Sequence, residues 1–345
     1  MAVSSATSYA TFKTLAWNKL EALSGQQGVD LTKNVNDIGH GIDEVYKLYA
    51  ETVPQTVAAK VALQGQDLRT AMEATFNNLG TRMVVLQDDG TWPQLNNVNM
   101  MTEFKKPMTA NLSQDAQKAT DCYLHVYPNQ TIYGQNGNVT LPTARTNVVG
   151  QSWRIGVNAT PTTMAAAVAK ILGIMDAYNC IQHIKFTPPG FVSKSDAIIL
   201  YMKKDNDYAT VRNAVQTAMG DAAITLQPCV NLMWNEFADG MGEAAESPTD
   251  MASFGDYRSV LAFTAYYRML TNPTMYQMTE QIFNTQVDKF FANFGIPLNA
   301  PHDQEAAIKY KSGMNGKMKL YATFMCINVE GNKNNKQQYM LPMVP

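Results

Sequence analysis

Charge is the scarcest commodity in this 345-residue sequence. Charged residues make up 16%, against roughly 25% in an ordinary soluble domain. The 27 basic and 29 acidic side chains nearly cancel, so there is no basic stripe of the kind that bulk nucleic-acid binding needs. The same balance argues against a polybasic membrane-surface protein. No apolar run approaches the ~20 residues of a spanning helix. Cysteine is equally sparse: Cys122, Cys180, Cys229 and Cys326 are far apart, with no CxxC and no histidine at ligand spacing. A zinc site is therefore not expected, and thiols of a reducing compartment are. The phosphate-loop, dinucleotide, HExxH and GxSxG signatures are all missing, and with them the usual support for kinase, dinucleotide-enzyme and hydrolase readings. The first 25 residues lack an apolar export core, being interrupted by Lys13 and Lys19; no Sec signal is expected. The Ser/Thr-rich opening at 2–8 suits a type III secretion leader as well as any frayed terminus.

Against this background the periodicities are clear. Phe12, Leu15, Ala16, Leu20 and Leu23 fall at helical spacing up to Gly25, Ile42, Val45, Tyr46 and Tyr49 mark a second helix over about 38–50, and a third is expected over 57–79 after Pro54. His40, between two glycines, reads as a helix-start or turn residue. Residues 84–150 are richer in Asn, Thr, Gly and Pro, with short alternating runs such as Cys122–Tyr127, and read as strands and long loops; Asn136-Gly137 suits a hairpin turn. His125 sits on one face of such a strand in a structural role. From Gln151 the order is strand, helix, strand, strand, helix. Thr160-Pro161 opens the first of these helices, whose buried stripe is Met164, Val168, Ile171, Leu172 and Met175. Tyr208–Met219 and the segments 253–270 and 276–294 are helical, and 318–325 alternates like a final strand. The expected class is α+β: a helical N-terminal region over 1–83, then an α+β region over 84–345 with a mixed sheet packed by helices.

With so few charges, those embedded in apolar strings stand out. Lys185 lies between Ile184 and Phe186; alternation puts it on one strand face with His183 and Thr187. A lysine in a partly desolvated, cation-rich pocket has its pKa lowered and becomes a competent base. A solvent-facing edge lysine is the plainer alternative, and His183 is either an acid or a turn or surface residue. Arg154 lies opposite Trp153 and Ile155, on a face where Gly156 leaves room for a ligand. Lys194 and Asp196 open the apolar run 197–201. Ser253 and Asp256 form a capping box, placing Arg258 near a helix N-terminus that favours anions; its guanidinium either holds a phosphate through paired hydrogen bonds or pairs with Asp256 or Asp250.

Taken in order, these segments resemble the HopA-type family of type III secretion effectors of plant-pathogenic bacteria. The resemblance covers about 150–270. It rests on the strand with Arg154 and Ile155-Gly156-Val157, the Lys185 strand, Ser195–Tyr201, Gly240–Ser247, and Gly255 with Arg258. It implies a fold like that of bacterial phosphothreonine lyases and of lyases in peptide natural-product clusters such as those of lanthipeptides and thioamitides. The implied activity is elimination of phosphate from phosphoserine or phosphothreonine without metal or organic cofactor. Lys185 would take the α-proton, and Arg154, Lys194 and Arg258 would hold the phosphate. Phosphothreonine lyases carry a histidine acid where the closest strand here has Arg154; His183 is the nearest substitute. The implied partners are a phosphorylated peptide or protein and either a kinase-like protein or a secretion chaperone. The implied location is the producing bacterium's cytoplasm or the inside of a host cell. A non-catalytic effector or phosphopeptide-binding module is the alternative.

Overall fold

The structure, a computed structural model, describes residues 5–51, 60–87, 92–134, 139–148, 153–191, 197–203, 207–228, 231–245, 254–303, 324–330 and 336–342. It is α+β, as expected, and the chain divides into two compact units. A sheet unit is formed by 53–230 and 236–243, and a helical unit by 3–52, 231–235 and 244–345. The first two helices find their partners at the far end of the chain, whereas the third belongs to the sheet.

In the helical unit, α1 (Ser5–Ser24), α2 (Val35–Glu51), α8 (Phe254–Thr271) and α9 (Glu280–Asn293) pack together. The stripe Phe12, Ala16, Leu20 and Leu23 of α1 is buried, as is Ile38, Ile42, Val45 and Tyr49 of α2. His40 lies inside α2 on its exposed side; the flanking glycines do not end the helix. Gly41 serves packing, as does Gly255 of α8. A Cβ at Gly41 would sit 2.5 Å from a Phe263 ring carbon, and one at Gly255 would sit 2.2 Å from Tyr49. The α2–α8 contact is therefore close at two points where only hydrogen fits. Helix α8 is buried on nearly every side over 254–266, the pattern of a central helix. Tyr49 anchors the 231–234 segment: its hydroxyl accepts from Trp234 Nε1 at 2.8 Å and Asn231 Nδ2 at 3.1 Å. The hairpin β11 (Phe324–Glu330) and β12 (Lys336–Pro342) completes the unit. The strand expected over 318–325 is described only from Phe324 onward.

The sheet is eight-stranded. Its strands are β1 (Val84–Gln87), β2 (Gln94–Leu95), β3 (Tyr123–Val126), β6 (Trp153–Val157), β7 (Ile181–Phe186), β8 (Ile198–Met202), β9 (Asn235–Ala238) and β10 (Met241–Ala245), in the order β2-β1-β3-β7-β8-β6-β10-β9. The pairs β1/β2, β1/β3, β3/β7, β7/β8 and β6/β8 are antiparallel. Two short strands, β4 (Ile132–Tyr133) and β5 (Val139–Thr140), pair separately around the expected Asn136-Gly137 turn, which lies outside the described residues. Helix α3 (Gly65–Leu79) starts later than 57. It packs on α4 (Asn97–Phe104) and on α6 (Met164–Ala177), which in turn packs on β7 and on α7 (Tyr208–Met219). The whole expected α6 stripe is buried. Pro161 begins a short 3-10 turn that leads into α6 at Met164.

Two helices lie where strands and loops were expected: α4, and α5 (Gln114–Asp121). Both are short, α5 is polar as well, and caps define them. Asn96 Oδ1 accepts from Asn99 N at 3.0 Å, and Ser113 Oγ from Ala116 N at 3.4 Å. Buried arginines hold the connections together. Arg69 donates to the carbonyls of Lys106, Pro107 and Ala110 at 2.7–2.8 Å. Arg145 donates to those of Met175, Tyr178 and Ile181, joining the end of α6 to the start of β7. No described helix is long and apolar enough to cross a membrane.

Candidate functional site

Strand alternation gives the central sheet two unlike faces. Val84, Leu86, Leu124, Val126, Ile184, Phe186, Ile198, Leu200, Trp153, Ile155 and Val157 share the apolar one, all of them buried. The other face carries nearly all the chemistry. Register aligns Arg154 of β6 with Tyr201 of β8, and Tyr201 with His183 of β7. One step along, Gly156 lies opposite Ile199, Ile199 opposite Lys185, Lys185 opposite His125 of β3, and His125 opposite Val85. The face-sharing of Lys185 with His183, and of Arg154 with Gly156, is as alternation requires.

The first of these rows is a ladder of π systems. The Arg154 guanidinium lies 5.2 Å from the Tyr201 ring centre. Tyr201 stacks on His183 at 4.4 Å and 11°. His183 in turn stacks on Tyr127 at 4.9 Å and 19°, and diagonally on His125 at 5.3 Å and 25°. These separations follow from the interstrand spacing of about 4.8 Å, which brings flat side chains on neighbouring strands to stacking distance without adjustment. Trp92 closes the ladder with its ring edge-on to His125, at 5.2 Å and 75°. Lys185 Nζ sits 3.7 Å from the centre of the Tyr123 ring, a close cation–π contact. His125 Nε2 and Gln87 Oε1 are hydrogen-bonded at 3.1 Å.

Burial and neighbouring cations decide the protonation of the two histidines. Burial first, then Lys185 and Arg154, push the His183 pKa down to about 3. His125 is likewise held well below its ordinary value by burial, His183 and Lys185. Both imidazoles are neutral at neutral pH. A neutral imidazole keeps one ring N–H and one acceptor nitrogen, and Nδ1 of His183 is buried with no hydrogen-bond partner. Burial, with Tyr133 nearby, raises the Tyr127 phenol to about 12 and keeps it protonated.

The structure thus brings Arg154, His183 and Lys185 together on one face. Lys194 and Ser253 lie outside the described residues. Arg258 belongs to the helical unit, as the fifth residue of α8. Its guanidinium is fully buried, at 0% exposure. Nε and Nη2 donate to Pro301 O at 3.0 and 2.8 Å, and Nη2 also to Asp303 O at 3.3 Å. It lies over the Phe254 ring at 3.5 Å. Such a guanidinium ties the 301–303 segment to α8, the same use that Arg69 and Arg145 have in the sheet unit. The sequence reading missed the aromatic members Tyr123, Tyr127, Tyr201 and Trp92. The alternation Tyr123-x-His125-x-Tyr127 was the signal that could have found three ladder neighbours at once. Among the described residues no group of His, Cys, Asp and Glu is placed to hold a metal ion.

No family model and no curated protein matches this sequence. Solved structures do. The effector protein from Pseudomonas syringae pv. syringae strain 61 aligns with a TM-score of 0.54 at 12% identity, over 86% of this chain and 96% of its own. The effector protein from Pseudomonas syringae pv. tomato strain DC3000 aligns with a TM-score of 0.56 at 13% identity, over 86% and 98%. The likeness is one of fold.

Proposed function

We propose that the polar face of the sheet is the site of a cofactor-independent carbon–oxygen lyase that eliminates phosphate from phosphoserine or phosphothreonine in a peptide or protein. The observation that carries this reading is the convergence of Arg154, His183 and Lys185 on one face of three adjacent strands in a chain short of charge. Arg154 is only 4% exposed, so a phosphate reaching it would be held where water competes least and paired hydrogen bonds are strongest. Lys185, neutral at the moment of reaction, takes the α-proton. The electrons of the Cα–H bond form the Cα=Cβ double bond, and the Cβ–O bond breaks with its pair leaving on phosphate. Arg154 and the newly protonated Lys185 balance the charge that develops. Lys194 is proposed as a further phosphate contact. Neutral His183, stacked on Tyr201 and Tyr127, positions the Tyr201 ring that lies beside the Arg154 guanidinium. A kinase-like protein that makes the phosphorylated residue is the natural partner in a biosynthetic setting, and a secretion chaperone in an effector setting. The effector setting draws support from the fold shared with the two Pseudomonas syringae proteins.

Incubation with phosphothreonine peptides, followed by mass spectrometry for loss of phosphoric acid, tests the reading; no loss with any such peptide refutes it. The neutrality of His183 favours one second reading, a phosphopeptide-binding module without turnover. Lys185→Ala separates the two. A lyase loses turnover and keeps ligand binding, whereas a binder has no turnover to lose.

A further inference from the structure

Trp92 is 46% exposed, whereas Trp17, Trp153 and Trp234 are each at most 8% exposed. A half-exposed tryptophan on a charge-poor protein is a feature to explain, because aromatic anchors are where binding energy concentrates. Its setting is also specific. The Tyr133 hydroxyl donates to its carbonyl at 2.6 Å. The ring meets His125 edge-on, and about half of the residue is left to solvent. Both contacts lie within the sheet unit, as do Lys185 and Arg154.

We propose that Trp92 docks an apolar, preferably aromatic, side chain of an extended phosphopeptide about three residues from its phosphorylated residue. The spacing follows from the register. Trp92 is 5.2 Å from His125, and His125 lies directly opposite Lys185, a cross-strand step of about 5 Å. The two steps together bound the span from the indole to the Lys185 strand at roughly 10 Å, or up to about three residues of extended chain at ~3.3 Å each. The anionic group of such a peptide meets Lys185 and Arg154 while its apolar side chain meets the indole. Hydrophobic and charge complementarity therefore fall at a fixed separation. The placement of the phosphorylated residue rests on the proposed lyase site, but docking and turnover are read separately.

The experiment uses the full chain and phosphothreonine peptides with one phenylalanine three residues before or after the phosphorylated residue, beside a peptide with alanine there. Intrinsic fluorescence quenched by acrylamide reports chiefly Trp92, the accessible indole among the four. Expected results are protection of Trp92 by one of the phenylalanine peptides and ~10-fold weaker binding of the alanine peptide. Trp92→Ala should weaken the phenylalanine peptide by a similar factor and leave the alanine peptide unaffected. Equal affinity for the peptides, unchanged quenching of Trp92, or no binding at all overturns the proposal. So does protection that grows with protein concentration in the absence of peptide, which would assign the indole to a second copy of the chain. Docking through Trp92 without loss of phosphoric acid leaves this inference standing and removes the lyase reading. Loss of phosphoric acid at equal rates from phenylalanine and alanine peptides of equal affinity does the reverse.

Discussion

Replacing His183 with phenylalanine should flatten the acid sensitivity of the sheet unit. The imidazole goes from an ordinary value of 6.5 to about 3 in the folded chain. A folded pKa below the unfolded one means that between these limits the unfolded chain binds more protons. Stability is therefore complete above pH 6.5 and falls as the pH drops toward 3. At pH 5 the unfolded histidine is almost fully protonated and the folded one is not, so this one group costs about 2 kcal/mol relative to pH 7.5. His125 acts in the same direction. Phenylalanine keeps a flat ring between Tyr201 and Tyr127 but has nothing to protonate, and it removes the unpartnered Nδ1. Urea unfolding followed by circular dichroism at pH 7.5 and pH 5 is the assay. The wild-type chain should lose about 2 kcal/mol more across this interval than His183→Phe. The carboxylates contribute little to the difference, since they titrate mostly below it. An equal loss in both proteins would show that His183 is not held neutral by its surroundings, and would restore it as a candidate acid.

Arg258→Met should destabilise the helical unit by about 2–4 kcal/mol, because main-chain carbonyls at 301 and 303 lose buried donors. Phosphopeptide affinity per folded molecule should not change; a calorimetric melt and a binding titration on one sample check both halves. Gly255→Ala puts a methyl group 2.2 Å from the Tyr49 ring and should cost about 1–3 kcal/mol, visible as a lowered melting temperature; an unchanged melt would mean that α2 and α8 separate easily. Tyr201→Leu removes the ring between Arg154 and His183 while keeping an apolar side chain. If the ladder holds the guanidinium, phosphopeptide affinity should fall by about an order of magnitude, measured by titration, while Tyr201→Phe retains it.

Much of the sheet was legible because a period of two is robust. The opposition of Arg154 to Trp153 and Ile155, and of Lys185 to Ile184 and Phe186, follows from alternation alone. Helix α7 was legible over its whole length, since a single amphipathic stripe runs through Val211, Val215 and Met219. The short helices α4 and α5 were not. Segment 114–121 buries only two alanines and a threonine, so no apolar stripe marks it and its capping serine is the one clear signal. The carbonyl contacts of Arg258 were not legible: a helix N-terminus with an arginine looks alike in sequence whether it faces an anion or a loop's carbonyls. His183 showed its face but not its charge, which depends on burial, on Lys185 of its own strand and on Arg154 of β6. The division into units was hidden because the partners of α1 and α2 begin some 200 residues later in the chain.

That last feature bears on how the protein is made. As the chain emerges from the ribosome, Ile38, Ile42, Val45 and Tyr49 form their stripe long before α8 exists to cover it. At roughly 5–20 residues per second the wait is on the order of ten to forty seconds. Through that interval the helical unit is half a core without its other half, while the strands of the sheet unit are being completed in between. A truncated chain ending before Phe254 should therefore leave α1 and α2 as sticky amphipathic helices. A holdase that covers amphipathic helices would find its longest opportunity at the N-terminal end of this protein.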